Sequence, residues 1–250
     1  MTGQVALVTG AGSGIGRAAC ISFGRAGARV VVSDVNADDG ARTVKRLTDA
    51  GHEAIFVRAD VSNPTDVQNL IAATVSAYGC LDMAFNNAGI EGEQHATADY
   101  PDAVWDRVIA VNLTGVRLCM KHEIAQMLKQ GGGAIVNNAS ILGVVGFATA
   151  SAYVAAKHGV LGLTKAAALE YAASHIRINA VCPGFIETPM LARAGLTTDP
   201  AKLEMIANLH PLKRLGRAEE VAAAAVWLCS PEASFITGHP LLVDGGYVIQ

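Results

Sequence analysis

Tyr153 and Lys157 stand four residues apart in a stretch, Ala150–Ala173, whose apolar pattern predicts a long helix, so both side chains leave one face. A phenol titrates near ~10 in water, too high for a general base at neutral pH. An ammonium beside it favours the phenolate, which is the tuning that acid/base chemistry needs. The spacing alone is common on helix surfaces, so its surroundings decide. Ser140 precedes Tyr153 by thirteen residues and follows a predicted strand, where its hydroxyl can hold a substrate oxygen for proton exchange. Asn112 lies in Val111-Asn112-Leu113-Thr114-Gly115, inside a second long helical stretch where an amide weakens the helix. Either it marks a local kink that can hold a water against Lys157, or it is an exposed helix residue.

A second group of residues fits a dinucleotide. Thr9-Gly10-Ala11-Gly12-Ser13-Gly14-Ile15-Gly16 lies between a predicted strand and a predicted helix. Glycines there allow a tight turn, let backbone N–H groups approach a pyrophosphate, and bring the helix N-terminus to it. Without that context a glycine-rich string is weak evidence. Asp34 ends the second strand, 18 residues after Gly16. A carboxylate there accepts from ribose hydroxyls and repels a 2′-phosphate, and neither Ser13 nor Val35 is basic. The expected cofactor is therefore NAD, with Arg17 on the first helix expected to face elsewhere. Asp60, ending the third strand, either accepts from an adenine amino group, with Val61 giving backbone contact, or begins a turn. Lys157 can also hold the nicotinamide ribose.

These residues need a scaffold that collects strand ends. Strands are expected at Val5–Thr9, Arg29–Ser33, Ala54–Arg58, Met83–Phe85, Ala134–Asn138, Arg177–Val181 and Leu241–Val243. Helices are expected after the glycine loop to about Gly24, and over Ala37–Ala50, Pro64–Tyr78, Trp105–Lys129, Ala150–Ala173 and Ala218–Leu228. Asn63 suits a cap before Pro64. Regular alternation with buried strands implies a parallel sheet covered on both faces, and right-handed crossovers make it a doubly wound Rossmann-type α/β fold. Ligands then bind at the carboxyl ends of the strands, where the chemistry-bearing residues fall.

The 250 residues contain no linker, repeat or charge run, so one catalytic domain is expected, 1–250. Residues 187–211 read as a polar, irregular lid over the substrate. Met190, Leu191 and Leu196, with Ile141, Leu142 and Val145, suggest a mainly apolar pocket, and Glu91, Glu93, Gln94 and His95 offer polar contacts. A net charge of −3 without a basic patch argues against nucleic acid or an anionic membrane as a partner. No apolar run reaches the ~18 residues of a membrane span, and a cytoplasmic location is expected. Five dispersed cysteines without CxxC spacing, and seven scattered histidines, give no metal site. His158 is expected to point off the catalytic face. Hydrophobic residues at 51% against 16% charged, and long helices apolar on more than one side, suggest surface hidden in an oligomer.

Thr9–Gly16, Asp60-Val61, Asn86-Asn87-Ala88-Gly89, Asn112, Ser140, Tyr153/Lys157, Pro183-Gly184 and Val243-Asp244-Gly245-Gly246, in this order and spacing, resemble the short-chain dehydrogenase/reductase family over essentially the whole chain. The resemblance implies Tyr153 as acid/base, Lys157 as its modulator and ribose ligand, Ser140 as the substrate-orienting hydroxyl, and Asn112 as the water-relay residue. It implies that Gly10, Ser13, Ile15, Asp34, Asp60, Val61, Asn87, Ile186 and Thr188 line the cofactor together with Gly16. It also implies a homotetramer, with a dimer as the alternative. The expected reaction is hydride transfer between NAD and a small-molecule alcohol/ketone pair. A ketoacyl-thioester reductase of the same family and a non-catalytic NAD sensor are the alternatives.

Overall fold

The computed structural model describes residues 1–195 and 199–250. Its elements run β1 (Val5–Thr9), α1 (Gly14–Arg25), β2 (Arg29–Asp34), α2 (Ala37–Asp49), β3 (Ala54–Arg58), α3 (Pro64–Tyr78) and β4 (Met83–Asn86). They continue with α4 (Asp102–Ile109), α5 (Gly115–Gln130), β5 (Gly133–Asn138), α6 (Ser151–Tyr171) and β6 (Ile176–Pro183). The last part holds β7 (Ile186–Glu187), α7 (Pro189–Arg193), α8 (Pro200–Asn208), β8 (Gly216–Arg217), α9 (Ala218–Cys229) and β9 (Pro240–Val243). Seven strands form a parallel sheet in the order β3-β2-β1-β4-β5-β6-β9, the doubly wound arrangement expected from the alternation of elements.

Each strand alternates its side chains between two cores, which is why the strands read as continuous apolar runs. Val5, Leu7 and Val31 face one cluster with Leu70 of α3, Met120 and Met127 of α5 and Val160 of α6. Ala6, Val8, Val30 and Val32 face the other, with Phe23 of α1, Leu47 of α2 and Leu228 of α9. The strand order reverses between β1 and β4, so the loops after these strands diverge and leave a crevice at their carboxyl ends. Asn63 caps α3 as expected, accepting from the Thr65 N–H at 2.9 Å, with Pro64 in the first turn.

Two expectations are corrected. The single helix over Trp105–Lys129 is instead α4 and α5 joined by a π-helical turn, Ala110–Thr114, with Asn112 buried within it. The wider turn frees backbone from the regular ladder, the kink that Asn112 signals in the sequence. The segment 187–211 is not irregular among its described residues. It holds α7 and α8, each begun by a proline, and Ile186–Glu187 pairs with Gly216–Arg217 in a separate two-stranded parallel sheet. Leu196 lies outside the described residues.

A polar network crosses the core behind the sheet edge. Asn86 Nδ2 donates to Glu123 Oε2 (2.9 Å) and to Asn137 Oδ1 (3.1 Å), and Asn137 Nδ2 donates to Thr164 Oγ1 (2.9 Å). It ties α5, β4, β5 and α6 together. Burial pushes the Glu123 carboxyl up to about 8 against the pull of the Asn86 amide. The folded state thus holds this proton where the unfolded chain, titrating at 4.5, has lost it. Stability therefore falls as pH rises between those values, by ~1.4 kcal/mol per unit within the window. Glu123→Gln keeps an acceptor for Asn86 and removes the titration. Thermal unfolding from pH 5 to 8 should fall more steeply for the wild type than for Glu123→Gln; parallel curves would show that Glu123 does not titrate there.

Candidate active site

The turn after β1 closes against the turn after β4. Gly10 adopts a left-handed φ of +61°, and a Cβ there would lie 2.7 Å from Ala88 Cα. A Cβ on Gly16 would stand 2.2 Å from the Gly10 carbonyl oxygen, so the start of α1 reaches the loop only because residue 16 has no side chain. Asn87 closes the other side. Its Nδ2 donates to the Thr9 and Gly10 carbonyls at 3.0 Å, and its Oδ1 accepts from Asn138 Nδ2 at 2.9 Å. Ser13 precedes α1 in an extended conformation and its hydroxyl makes no cap, which leaves the first N–H groups of the helix open to an anion. Ile15 turns into the core on the Val8 side.

The expected adenosine end has a carboxylate in place. Asp34 Oδ2 accepts from the Gly12 N–H at 2.8 Å, and Oδ1 accepts from the Asn36 N–H at 2.9 Å. Arg17 does not face elsewhere as expected. Its guanidinium donates to the Gly12 carbonyl and to Thr43 Oγ1 (3.1 Å) and lies 3.6 Å from Asp39. Asp60 uses Oδ1 to begin a turn, accepting from the Ser62 N–H (2.9 Å) and hydroxyl (2.6 Å). Desolvation raises its carboxyl, but the Ser62 bonds and the charges of Arg107 and Arg58 outweigh that and hold it below the usual carboxylate range. Val61 is buried against Gly115 at the start of α5. Ile186 is buried in the α1/α9 core, and Thr188 stands just before α7, its hydroxyl donating to the Ile186 carbonyl (3.3 Å) and its methyl beside Gly14, which brings α7 up to the glycine loop.

The second half of the site forms around Lys157. Its side chain is only 3% exposed, and Nζ donates to the Asn138 carbonyl at 2.7 Å, at the end of β5. Nζ also lies 5.4 Å from the centroid of the Tyr153 ring. Ser140 accepts from the Leu142 N–H (3.1 Å), and its hydroxyl is near enough to the Tyr153 phenol to favour the ionised form. The Asn112 amide clasps Ile90 from both sides, Oδ1 accepting from its N–H and Nδ2 donating to its carbonyl, each at 2.8 Å. A Cβ on Gly89 would lie 3.2 Å from Asn112 Oδ1, a tight approach, and 3.8 Å from Lys157 Nζ, so the amide and the ammonium both end beside Gly89. All four residues expected to do chemistry therefore meet at one edge. His158 points away, its Nδ1 against the Val154 carbonyl, as expected.

The electrostatics differ from the expectation at Tyr153. Burial pushes the phenol up to about 12; the Ser140 hydroxyl opposes this and the Glu91 charge adds to it. Lys157 is itself desolvated, which brings its ammonium down to about 8. In the protein alone the nearby lysine therefore does not bring the phenol below its ordinary value, because the same burial acts on both groups.

Ile141 is buried, and Leu142, Val145, Met190 and Leu191 are half-buried. Glu93 pairs with His95 at 3.0 Å, Gln94 is exposed, and Glu91 Oε1 lies 3.5 Å from Arg193 Nε on α7. Two features had no signal in the sequence: the Asn138 carbonyl as the acceptor for Lys157, and His210, whose Nε2 accepts from the Phe185 N–H at 3.2 Å just past Pro183-Gly184.

A glycine turn with an open helix start, beside a Ser–Tyr–Lys cluster at the switch point of a parallel sheet, defines a dinucleotide-dependent oxidoreductase. The family model described as Enoyl-(Acyl carrier protein) reductase matches residues 10–248. The chain is 47% identical to cyclohexanol dehydrogenase of Acinetobacter sp. (strain SE19), over 98% of this chain and 94% of that protein. It is 48% identical to cis-4-hydroxycyclohexanecarboxylate dehydrogenase of Sinomonas cyclohexanicum, over 98% and 96%. The levodione reductase crystal structure superposes with a TM-score of 0.95 at 39% identity, over 100% of this chain and 99% of that one. A variant of actinorhodin polyketide ketoreductase with NADPH superposes at 0.93 and 39% identity, over 99% and 98%. The chain belongs to the short-chain dehydrogenase/reductase family. It is an oxidoreductase working between an alcohol and its ketone.

Gly16→Ala should lower the melting temperature, since the methyl must displace the Gly10 carbonyl or the helix, at a cost of about 1–3 kcal/mol. An unchanged melting temperature would show that the turn has room to give.

Proposed function

We propose that the protein is an NAD-dependent dehydrogenase of secondary alcohols, ring alcohols foremost, with Tyr153 as the group that exchanges the proton. The observation that carries the reading is the convergence of Ser140, Tyr153 and Lys157 at the sheet edge beside the Asn112 clasp. The glycine turn, Ser13, Ile15 and Gly16 would hold the pyrophosphate, with Asn87, Ile186 and Thr188 beside it. Asp34 would take the ribose hydroxyls, with Asp60 and Val61 near the adenine. A nicotinamide bound there supplies the hydride acceptor or donor.

Within this reading Ser140 holds the substrate oxygen and Tyr153 Oη takes the alcohol proton, or gives it to a carbonyl. Lys157 Nζ anchors the nicotinamide ribose from the Asn138 carbonyl and favours the charged phenolate. Asn112 holds the turn through Ile90 that leads a proton from Lys157 to solvent. Orientation and a preset field are the protein's contribution.

NAD over NADP rests on Asp34, whose carboxylate faces the Gly12 N–H without a basic side chain at Ser13 or Val35. The NADPH in the polyketide ketoreductase structure favours a second reading, a ketoacyl-thioester reductase. The five unpaired cysteines fit a reducing, cytoplasmic setting, and no helix among the described residues is long and apolar enough to cross a membrane. Leu169, Trp227 and Phe235 stand exposed on α6, on α9 and in the turn before β9, which supports a homotetramer.

Nicotinamide absorbance with NAD and NADP against cyclic secondary alcohols tests the reading. NADH formation preferred by about a hundredfold in kcat/KM is expected from like-charge repulsion at Asp34. NADPH formation alone would overturn the NAD assignment. Tyr153→Phe should lower kcat by about 10²–10⁴ while NAD binding, read by protein fluorescence, persists; kcat near wild type would remove Tyr153 from the proton step.

A further inference from the structure

Ile90 and Tyr153 pack against one buried cluster of Tyr100, Val108, Ala152 and Ala156, and Glu91 follows Ile90 in the chain. Ile141, Leu142, Val145, Met190 and Leu191, buried or half-buried, carry hydrocarbon side chains, whereas Glu91, half-buried as well, carries a carboxylate. Its position is set by the chain. The preceding residue, Ile90, is held through both its N–H and its carbonyl by the buried Asn112 amide. The following residue, Gly92, takes a left-handed φ of +75° against Val108 and Tyr100. The Glu91 charge reaches the Tyr153 phenol and opposes its ionisation. Its partner, Arg193 of α7, lies 3.5 Å away and is 61% exposed, against 34% for Glu91. The cation of the pair is the more solvated member, and an exposed ion pair of this kind is a weak one. The reacting centre therefore sees the anion more than the cation.

We propose that Glu91 is a specificity-determining residue of the cleft: it favours ring alcohols without charge and disfavours those that carry a carboxylate. The proposal rests on the secondary-alcohol reading above. A ring hydroxyl held by Ser140 and Tyr153 brings any carboxylate on the same small ring within several ångströms of Glu91, where like charges repel. Overall identity does not choose between the two substrate types, since the relatives named for a neutral ring alcohol and for a ring hydroxy acid are 47% and 48% identical. A local charge does. Arg193 acts in the opposite sense, as the partial neutraliser of Glu91.

Two substitutions separate this from a fastening role for the ion pair. Initial rates with NAD are measured for cyclohexanol and for cis-4-hydroxycyclohexanecarboxylate. The wild type should favour cyclohexanol in kcat/KM by about tenfold or more, expressed mainly in KM. Glu91→Gln should shrink that ratio about tenfold, and Arg193→Gln should enlarge it, because the two remove charges of opposite sign. A pair that merely fastens α7 would give both variants the same effect. Ratios that move together, or do not move, overturn the proposal while cyclohexanol turnover leaves the alcohol reading standing. Absence of turnover of both alcohols by the wild type overturns the alcohol reading itself and the proposal with it.

Discussion

A lysine ammonium 3% exposed inside a sheet edge is the constraint around which the site is arranged. Burying a cation is costly unless its hydrogen bonds are met, and Lys157 meets one with the Asn138 carbonyl. That carbonyl is fixed because Asn138 ends β5 between β4 and β6 and its side chain donates to Asn87. Asn87 in turn donates to the carbonyls of Thr9 and Gly10. A single chain of hydrogen bonds thus runs from the ammonium, through two strand ends, into the glycine turn. The two halves of the site are positioned through the same two residues, Asn138 and Asn87, so a shift in one is felt in the other.

The helical side of the site obeys a related requirement. Asn112 must turn its amide away from the helix it interrupts and toward Ile90, and a regular α-helix has no room for that. The π-helical turn at Ala110–Thr114 supplies it, and Gly89 keeps the space beyond the amide open. Behind both elements, the Asn86–Glu123–Asn137–Thr164 network links β4 and β5 to α5 and α6. The catalytic edge is therefore braced by polar contacts where an apolar core would permit more sliding.

Much of this was legible in the sequence, and the reasons differ by element. The strands carry mainly apolar runs because both faces of the sheet are covered, so Val5–Thr9 and Ala54–Arg58 emerge with the observed bounds. The spacing of Tyr153 and Lys157 places them on one helical face. Spacing does not report burial, and burial is what drives the phenol up and the ammonium down. α7 and α8 were missed because helices of five and nine residues hold too little periodicity to stand out from a polar loop. The pairing of β7 with β8 joins residues thirty apart through two-residue strands, for which no local pattern exists. Arg17 was misdirected for a similar reason: its destination is a backbone carbonyl, and carbonyls have no letter in a sequence.

The opposed shifts of Tyr153 and Lys157 bear on the direction of chemistry. With the phenol near 12 and the ammonium near 8, Tyr153 rests as a proton donor, suited to protonating a carbonyl. Taking a proton from an alcohol requires the phenolate, and hence additional positive charge beside the ring. On the proposed reading, Lys157 and an oxidised nicotinamide held beside it would together supply that charge. A cation at that place favours phenolate over phenol, and its departure restores the phenol. On that reading the same two side chains would serve as base in alcohol oxidation and as acid in ketone reduction. Glu91 bears on that balance too, since its charge opposes the phenolate, and Arg193 tempers it from α7. Proton and hydride transfer would be kept in step by electrostatics, without any rearrangement of the fold.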